Sequence, residues 1–408
     1  MALAPISKIP ASERNIFLDE IRFEMNHLLD WWIEHMVDHK HGGFYGRIDG
    51  FGRLHPDAEK GVILNARLLW TFSAVASYSG EAQYAKWADR AYHYFTDHFL
   101  DKQNGGVFWS VDAKGDPVDT TKQIYAQVFA VYALSEYYEL RNHPTALQVA
   151  QQVFRLVETH SRDRLKSGYH NVFDQDWTPA KNQRLSEKDE DQAKIMNTHL
   201  HIMEAYANLY RVAPNPTVKE ALSNSLLLLM DRFCARSPRH LYLFFDENWN
   251  PSSEEHSFGH DIECAWLLVE SARILGDTDL LHRAASIAIE LANSTLEQGT
   301  DKEGGIFEKT DATGLHIEPE KHWWPQAEAV VGLLQAFELT GDPKYWNGTM
   351  NAWQYIKKYF KDREQGEWHW LVDEQGHPIL HLEDKAGPWK APYHNVRMCL
   401  EVLKRLDK

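Results

Sequence analysis

Six stretches of the chain repeat one pattern: a glycine or turn, alternating aromatic residues, then a turn built on aspartate. They are HGGFYGRIDGFG from 41, NGGVFWSVDAKG from 104, KSGYHNVFDQDW from 166, RHLYLFFDENW from 239, EGGIFEKTDATG from 303 and QGEWHWLVDEQG from 365. Each reads as a short β-hairpin. Between them lie paired helical patterns, so the unit is hairpin, helix, turn, helix, recurring roughly every 60 to 75 residues. One such unit cannot bury its apolar face alone, and stacked neighbours must do it. The first helix of each pair is apolar nearly all round (YAQVFAVYALSEYY, ECAWLLVESARIL), which places it inside; the second carries a charged face (NAWQYIKKYFKD), which places it outside. The last hairpin precedes a single helix, NVRMCLEVLKRL, and an unpaired amphipathic helix, ERNIFLDEIRFEMNHLLDWWIEHM, lies ahead of the first. Pairing the two closes a ring. The expected fold is therefore all-α, an (α/α)6 barrel of six inner and six outer helices with the hairpins at one end, residues 1–408 forming one domain. An open helical solenoid is the alternative, and the two half-repeats favour closure.

Composition narrows the function. Lys and Arg number 43 against 59 Asp and Glu, a net charge of −16 with no basic run that could follow a phosphate backbone. Nucleic acid is excluded as a partner, and nothing steers an anionic metabolite inward. The 15 Trp and 17 Tyr exceed what packing requires and suggest sugar stacking. Cys234, Cys264 and Cys399 form no C-x-x-C pair, as in a reducing compartment. The stretch MALAPISKIPASERNIF lacks an apolar core of signal-peptide length and no segment is long enough to span a bilayer, so a cytoplasmic protein without a membrane partner is expected. A monomer is expected, with a dimer as the alternative.

If every hairpin leads into an inner helix, the residues opening those helices converge on one cavity. From the first two repeats these are Asn65, Arg67, Tyr125 and Gln127; from the third Asn197, His199 and His201; from the fourth His260 and Glu263. The last two supply His322, Trp323, Gln326 and Glu328, then Trp389, Tyr393, His394 and Arg397. Histidine recurs at equivalent positions of at least three repeats, which favours function over core packing. At about 100° per residue, His199 and His201 cannot both face the cavity. His260 and Glu263 share a helical face and could ligate a metal, yet no second His-carboxylate pair accompanies them and Arg67 and Arg397 stand near, so metal-free chemistry is expected. Glu263 then orients an imidazole or binds a hydroxyl.

Imidazoles, a guanidinium and aromatic platforms suit proton abstraction beside a carbonyl, because one ring can take a proton while another gives one near neutral pH. In an opened aldose the C2 proton is acidic, and Arg67 with a third histidine could stabilise the enediolate oxygen. Return of a proton to the opposite face of C2 inverts it, whereas return to C1 gives a ketose.

The motifs NTHLHIMEAYANLY, SFGHDIECAWLL, HWWPQAEA and PYHN, joined by KGVILNARLLWTF and IYAQVFAVYALSE, resemble the cellobiose 2-epimerase family within the N-acylglucosamine 2-epimerase superfamily. The resemblance covers essentially the whole chain. It implies an (α/α)6 barrel that interconverts the reducing-end glucose and mannose of β-1,4 disaccharides without a metal or nucleotide cofactor. It further implies His260 and His394 as acid/bases, His201 as the ring-opening or assisting histidine, Arg67 near O1 and O2, and Glu263 and Asn197 on the substrate. Trp323 and Trp389 match stacking tryptophans, Tyr125 and Glu328 match further lining positions, and His199 is left structural. Ala391 stands where the family commonly has glycine, and the Pro-Gly of the N-acetyl-sugar branch is missing before the histidine of SFGHDIE.

Three other readings stay open. Relatives that epimerise or isomerise a free monosaccharide such as mannose share the catalytic histidines. A glycoside hydrolase on the same barrel would need Glu263 and Glu328 as its acid and base. A helical-repeat interaction protein would leave the histidines without work. Residues 184–196, highly charged, are either a mobile flap over the site or a solvated loop.

Overall fold

The computed structural model describes residues 8–234, 239–252 and 254–407. Residues 1–7, part of the stretch read for a targeting segment, lie outside them. The described residues form twelve α-helices: α1 (Ala11–Met36), α2 (Val62–Ser79), α3 (Ala82–His98), α4 (Ile124–Arg141), α5 (Pro144–His160), α6 (Met196–Val212), α7 (Pro216–Leu228), α8 (Phe258–Leu275), α9 (Thr278–Gln298), α10 (Trp323–Thr340), α11 (Pro343–Tyr355) and α12 (His394–Leu406). A π-helical turn extends α7 over Leu229–Phe233 and α11 over Ile356–Phe360.

The even-numbered helices form the inner ring, each packed on the next, and α12 packs on both α10 and α2. The odd-numbered helices lie outside against their partners, with α1 on α12 as the two half-repeats required. Burial follows the sequence pattern. Every residue of α2 from Val62 to Ala76 is buried, while α3 buries one stripe of Tyr84, Ala85, Ala88, Ala91, Tyr92, Tyr94 and Phe95. The barrel is the fold. No helix among the described residues is long and apolar enough to cross a membrane.

The six inter-helix connections at the mouth differ from the hairpins expected. Among the described residues only β2 (Ser110–Val111) and β3 (Pro117–Asp119) make a local hairpin; elsewhere the folded-back segments are held by single bridges such as Val37 with Phe44 and Lys361 with Trp368. Regular pairing runs between successive connections instead: β1 (Lys60–Gly61) with β2, β4 (Lys122–Gln123) with β5 (Val172–Phe173), β6 (Lys194–Ile195) with β7 (Phe244–Phe245), and β8 (Lys321–His322) with β9 (Leu371–Val372). One strand of each pair runs straight into a helix, as β1 does at Val62, and the other ends on an aspartate turn, as β5 does at Asp174, so neither can lengthen. In the aspartate turn at Asp112, Gly115 at φ 103° is packed over His98, a place no side chain could occupy.

A buried lysine two residues ahead of the inner helix ties down each of four connections. Lys60 bonds Asp38 at 2.8 Å, Lys122 Asp101 at 2.8 Å, Lys194 Asp163 at 2.9 Å and Lys321 Asp301 at 3.0 Å. In the sixth connection Lys385 plays the part with Asp362 at 2.5 Å. Each aspartate also caps its own turn, as Asp101 does for the amides of Gln103 and Asn104. Removing one partner of such a buried pair leaves a bare charge and costs about 3–5 kcal/mol. The mouth is therefore a rigid platform despite its lack of regular sheet.

Candidate active site

The repeat sorts the inner-helix residues into layers. The fourth residue pins the connection: Gln127 accepts from Val107 N–H at 2.8 Å and donates to Val107 C=O at 2.9 Å, and Gln326 treats Ile306 in the same way. His199 occupies this place in α6. Its Nε2 accepts from the Tyr169 amide at 3.0 Å and its Nδ1–H donates to Ile195 C=O at 2.7 Å. Gln127, Gln326 and His199 are thus packing groups, and both nitrogens of His199 are committed.

The sixth residue faces the barrel axis. It is Arg67 in α2, Phe129 in α4, His201 in α6, Glu263 in α8 and Glu328 in α10. α12 begins two residues later in the same frame, so Arg397 completes the layer and His394 matches His260, the third residue of α8. The equivalent histidines are therefore His260 and His394; His201 lies one helical turn deeper.

Arg397 joins the layer. Its Nη1 donates to Glu204 at 2.5 Å, its Nη2 to both Glu263 and Glu328 at 2.7 Å, and Tyr393 OH donates to Glu204 at 2.7 Å. Two histidines are bound to these carboxylates through Nδ1: His201 to Glu204 at 2.7 Å and His394 to Glu328 at 2.6 Å. His260 Nδ1 meets Ser257 Oγ at 2.9 Å. In all three rings Nε2 has no hydrogen-bond partner among the described residues. Arg67 donates to Trp389 C=O at 2.8 Å and Tyr125 OH at 3.0 Å, stacked between Phe129 and Tyr393 at 4.8 Å from each ring. Asn197, half-buried, has an Oδ1 with no hydrogen-bond partner among the described residues.

Burial sets the protonation. It takes the His394 imidazole down to about 3 and that of His260 to about 4, against the opposing pull of Glu328 and Glu308 respectively. It lowers His201 as well, opposed by Glu204. All three rings are neutral at pH 7 and ready to accept a proton. Burial alone would raise Glu204, but Arg397, with His201 and Tyr393, outweighs it and brings the carboxyl to about 2. Glu328 is likewise held low by Arg397 and His394 against its burial, whereas burial and the charge of Glu328 push Glu263 up.

Several expectations change. Glu328, not Glu263, orients an imidazole; Glu263 stands 4.0 Å from His394 Nδ1. Trp323 is 2% exposed and packs edge-on against His394, so it offers no open face for a sugar. The half-buried Trp324 stands beside the histidines, with its ring 4.7 Å from His260 and 5.7 Å from His394. Trp389 is half-buried at the rim beside Trp109 and Tyr125. Sequence reading missed Glu204, Trp324, Trp109 and Glu308. Glu204 carried a signal, since it follows His201 by three residues as Glu263 follows His260. Glu308 carried none; it arrives from the connection before α10 and pairs with His322 at 2.8 Å.

A metal could be sought among Glu263, Glu328 and His394, whose ligand atoms lie within 4.8 Å of one another. Arg397 Nη2 already occupies the cation's place, 2.7 Å from both carboxylates. The same contacts weaken the hydrolase reading, because an acid and a base joined to one nitrogen have no room for a sugar between them. The segment 184–196 is anchored: Lys188 bonds Glu383 of the sixth connection at 2.9 Å, and Asn171 holds the carbonyl of Ala193 at 3.1 Å. The third and sixth connections lie opposite each other on the ring, and the Lys188–Glu383 pair joins them.

A family model described as N-acylglucosamine 2-epimerase (GlcNAc 2-epimerase) matches residues 43–397. The chain is 44% identical to a cellobiose 2-epimerase of Bacteroides fragilis over 92% of its own length and 95% of that protein's. It is 35% identical to a cellobiose 2-epimerase of Dictyoglomus turgidum, over 93% and 96% of the two chains. The solved cellobiose 2-epimerase of Bacillus thermoamylovorans B4167 superposes with a TM-score of 0.92 at 37% identity, covering 96% of this chain and all of that one.

Proposed function

We propose, from the premise that this chain belongs to the N-acylglucosamine 2-epimerase family, that residues 1–408 form one catalytic unit inverting C2 of the reducing-end aldose of β-1,4 disaccharides. The protein is an epimerase, an isomerase acting on sugars. Cellobiose is the first substrate assigned, giving glucosyl-mannose, with lactose and mannobiose beside it. The observation that carries the reading is the pair His260 and His394, equivalent in the repeat, both against Trp324 and both with Nε2 uncommitted.

The sugar ring opens with help from His201, whose Nε2 is likewise free. One of His260 and His394 takes the C2 proton; its imidazolium is stabilised by Glu308 in one case and Glu328 in the other. Negative charge then spreads onto O1 and O2 of the enediolate, where Arg67 and Asn197 supply a guanidinium and an amide. The second histidine delivers a proton to the opposite face of C2. The enzyme needs no cofactor, because the acidified C–H and two imidazoles complete the proton count. Trp389, with Trp109, stacks on the second sugar at the rim. The protein acts as a monomer in the cytoplasm, its three cysteines carrying free thiols.

Incubation with cellobiose in deuterated water tests the reading. Glucosyl-mannose with deuterium at C2 is expected, and the His260→Ala and His394→Ala variants should each lose epimerisation while melting like the parent. Release of free glucose, or wild-type rates in both variants, would refute it. Turnover of free mannose with cellobiose untouched would assign a monosaccharide instead.

A further inference from the structure

Arg397 reaches from α12 across the barrel axis to α6, the inner helix opposite, and touches α8 and α10 on the way. One guanidinium therefore links two matching units: His201 Nδ1 on Glu204, and His394 Nδ1 on Glu328. Arg397 is 1% exposed, and Glu204 and Glu328 are buried with it. Neither Arg397 nor Glu204 has an assigned part in the proton transfers above.

We propose that Arg397 and Glu204 are positioning residues that fix the Nδ1–H tautomers of His201 and His394 together, so that both Nε2 atoms face the sugar in register. The inference rests on the epimerase reading of the site. Each ionised carboxylate accepts the Nδ1 proton and so forbids the tautomer that would place it on Nε2. Each carboxylate is in turn held by a separate Nη of the same rigid fork, so that neither can turn without disturbing the other. Lysine, a single point charge, could not span the distance between Glu204 and the Glu263–Glu328 pair in the same way.

The groups facing His201 are Glu204 on its own helix, Arg67 and Arg397 by charge, His260 on α8, and the rings of Tyr125 and Phe129. Glutamate at 204 favours the charged form of His201; the neutral amide in Glu204→Gln does not. The limb of the pH–rate profile that His201 governs should therefore move to lower pH. The turnover number should fall about tenfold to hundredfold, the equivalent of one charge-assisted hydrogen bond, with the Michaelis constant for cellobiose nearly unchanged.

The test combines kinetics and spectroscopy on the full chain. With 15N-histidine labelling, wild type should show two strongly hydrogen-bonded Nδ1–H protons, and Glu204→Gln should lose one of them. In a His201→Ala background the Glu204→Gln change should cost less than it does in the parent, because only its effect on His394 through Arg397 is left. Arg397→Lys, which keeps the charge and whose fold is checked by its melting temperature, should slow turnover and broaden both Nδ1–H signals. Unmoved pH limbs, full additivity with His201→Ala, or an unaltered pair of signals in Arg397→Lys would overturn the proposal. Wild-type activity in His201→Ala and His394→Ala would instead refute the epimerase chemistry beneath it, while the spectroscopic result would still stand or fall alone.

Discussion

Glu328→Gln separates orientation of a histidine from the burial of charge. The Glu328 carboxylate accepts from His394 Nδ1 at 2.6 Å, from Arg397 Nη2 at 2.7 Å and from Trp266 Nε1 at 2.8 Å. Glutamine keeps the shape but turns an NH2 group toward at least one of three donors. His394 and Arg397 share Oε1 and Trp266 takes Oε2. An amide oxygen at Oε1 therefore keeps the Nδ1–H bond but strips it of charge, while NH2 at Oε1 drives the imidazole proton to Nε2, the atom that must accept the C2 proton. Loss of one hydrogen bond to a charged group is worth about 1.5–3 kcal/mol, or about ten- to 150-fold in rate. A carboxylate-to-amide change behind a catalytic histidine can reach about 10⁴-fold once the wrong tautomer is included. The fold is protected by Glu263. Burial first, and the charge of Glu328 second, push Glu263 up, so with that charge gone Glu263 ionises more readily and keeps Arg397 paired through its own 2.7 Å contact. Expected, then, is a turnover number for cellobiose epimerisation, followed by 1H NMR at saturating sugar, that falls about 10²- to 10⁴-fold with a melting temperature near that of the parent. A turnover number within threefold of wild type, in a variant that melts normally, would show that Glu328 does not set the tautomer of His394.

Three more outcomes follow from the site. Trp324→Ala should reduce kcat/KM on cellobiose about tenfold or more, since its ring lies against both acid/base histidines; an unaltered value would remove it from the sugar site. Glu204 at about 2, against an ordinary 4.5, is a depressed carboxylate, so its contribution to stability is present above pH 4.5 and is lost as pH falls toward 2. The difference is on the order of 3 kcal/mol, and urea midpoints should drop between pH 5.5 and 3 by more in wild type than in Glu204→Gln; parallel titrations would contradict it. Treatment with EDTA should leave the epimerisation rate unchanged because Arg397 fills the cation's place; a rate abolished by EDTA and restored by a divalent ion would be decisive against that.

The barrel was legible because its information is periodic. The repeated glycine-aromatic-aspartate segments and the contrast between helices such as ECAWLLVESARIL and NAWQYIKKYFKD encode inside and outside locally, and no long-range detail is needed to close the ring. Strand pairing was less legible, since Lys60 opposite Val111 joins two connections that the sequence separates by a helical hairpin. At the site, helix phase showed that His201 and His199 could not share the cavity, and the family resemblance chose between them. Helix phase did not separate Trp323 from Trp324, or Glu263 from Glu328, because adjacent or same-layer residues differ only in where a neighbouring helix leaves room. Glu204 could have been found by the three-residue spacing; Glu308 could not, as its position depends on how a connection folds over the mouth.

The sixth inner helix has a double duty. α12 is the segment that joins α10 to α2, and it also carries His394 and Arg397. A chain whose α12 is undocked therefore has neither a closed ring nor a finished proton-transfer apparatus, however well its other eleven helices are formed. Catalytic turnover is consequently a reporter of complete assembly: a partially folded molecule is silent toward sugar, and the recovery of activity during refolding should track α12 docking rather than the earlier rise in helix content.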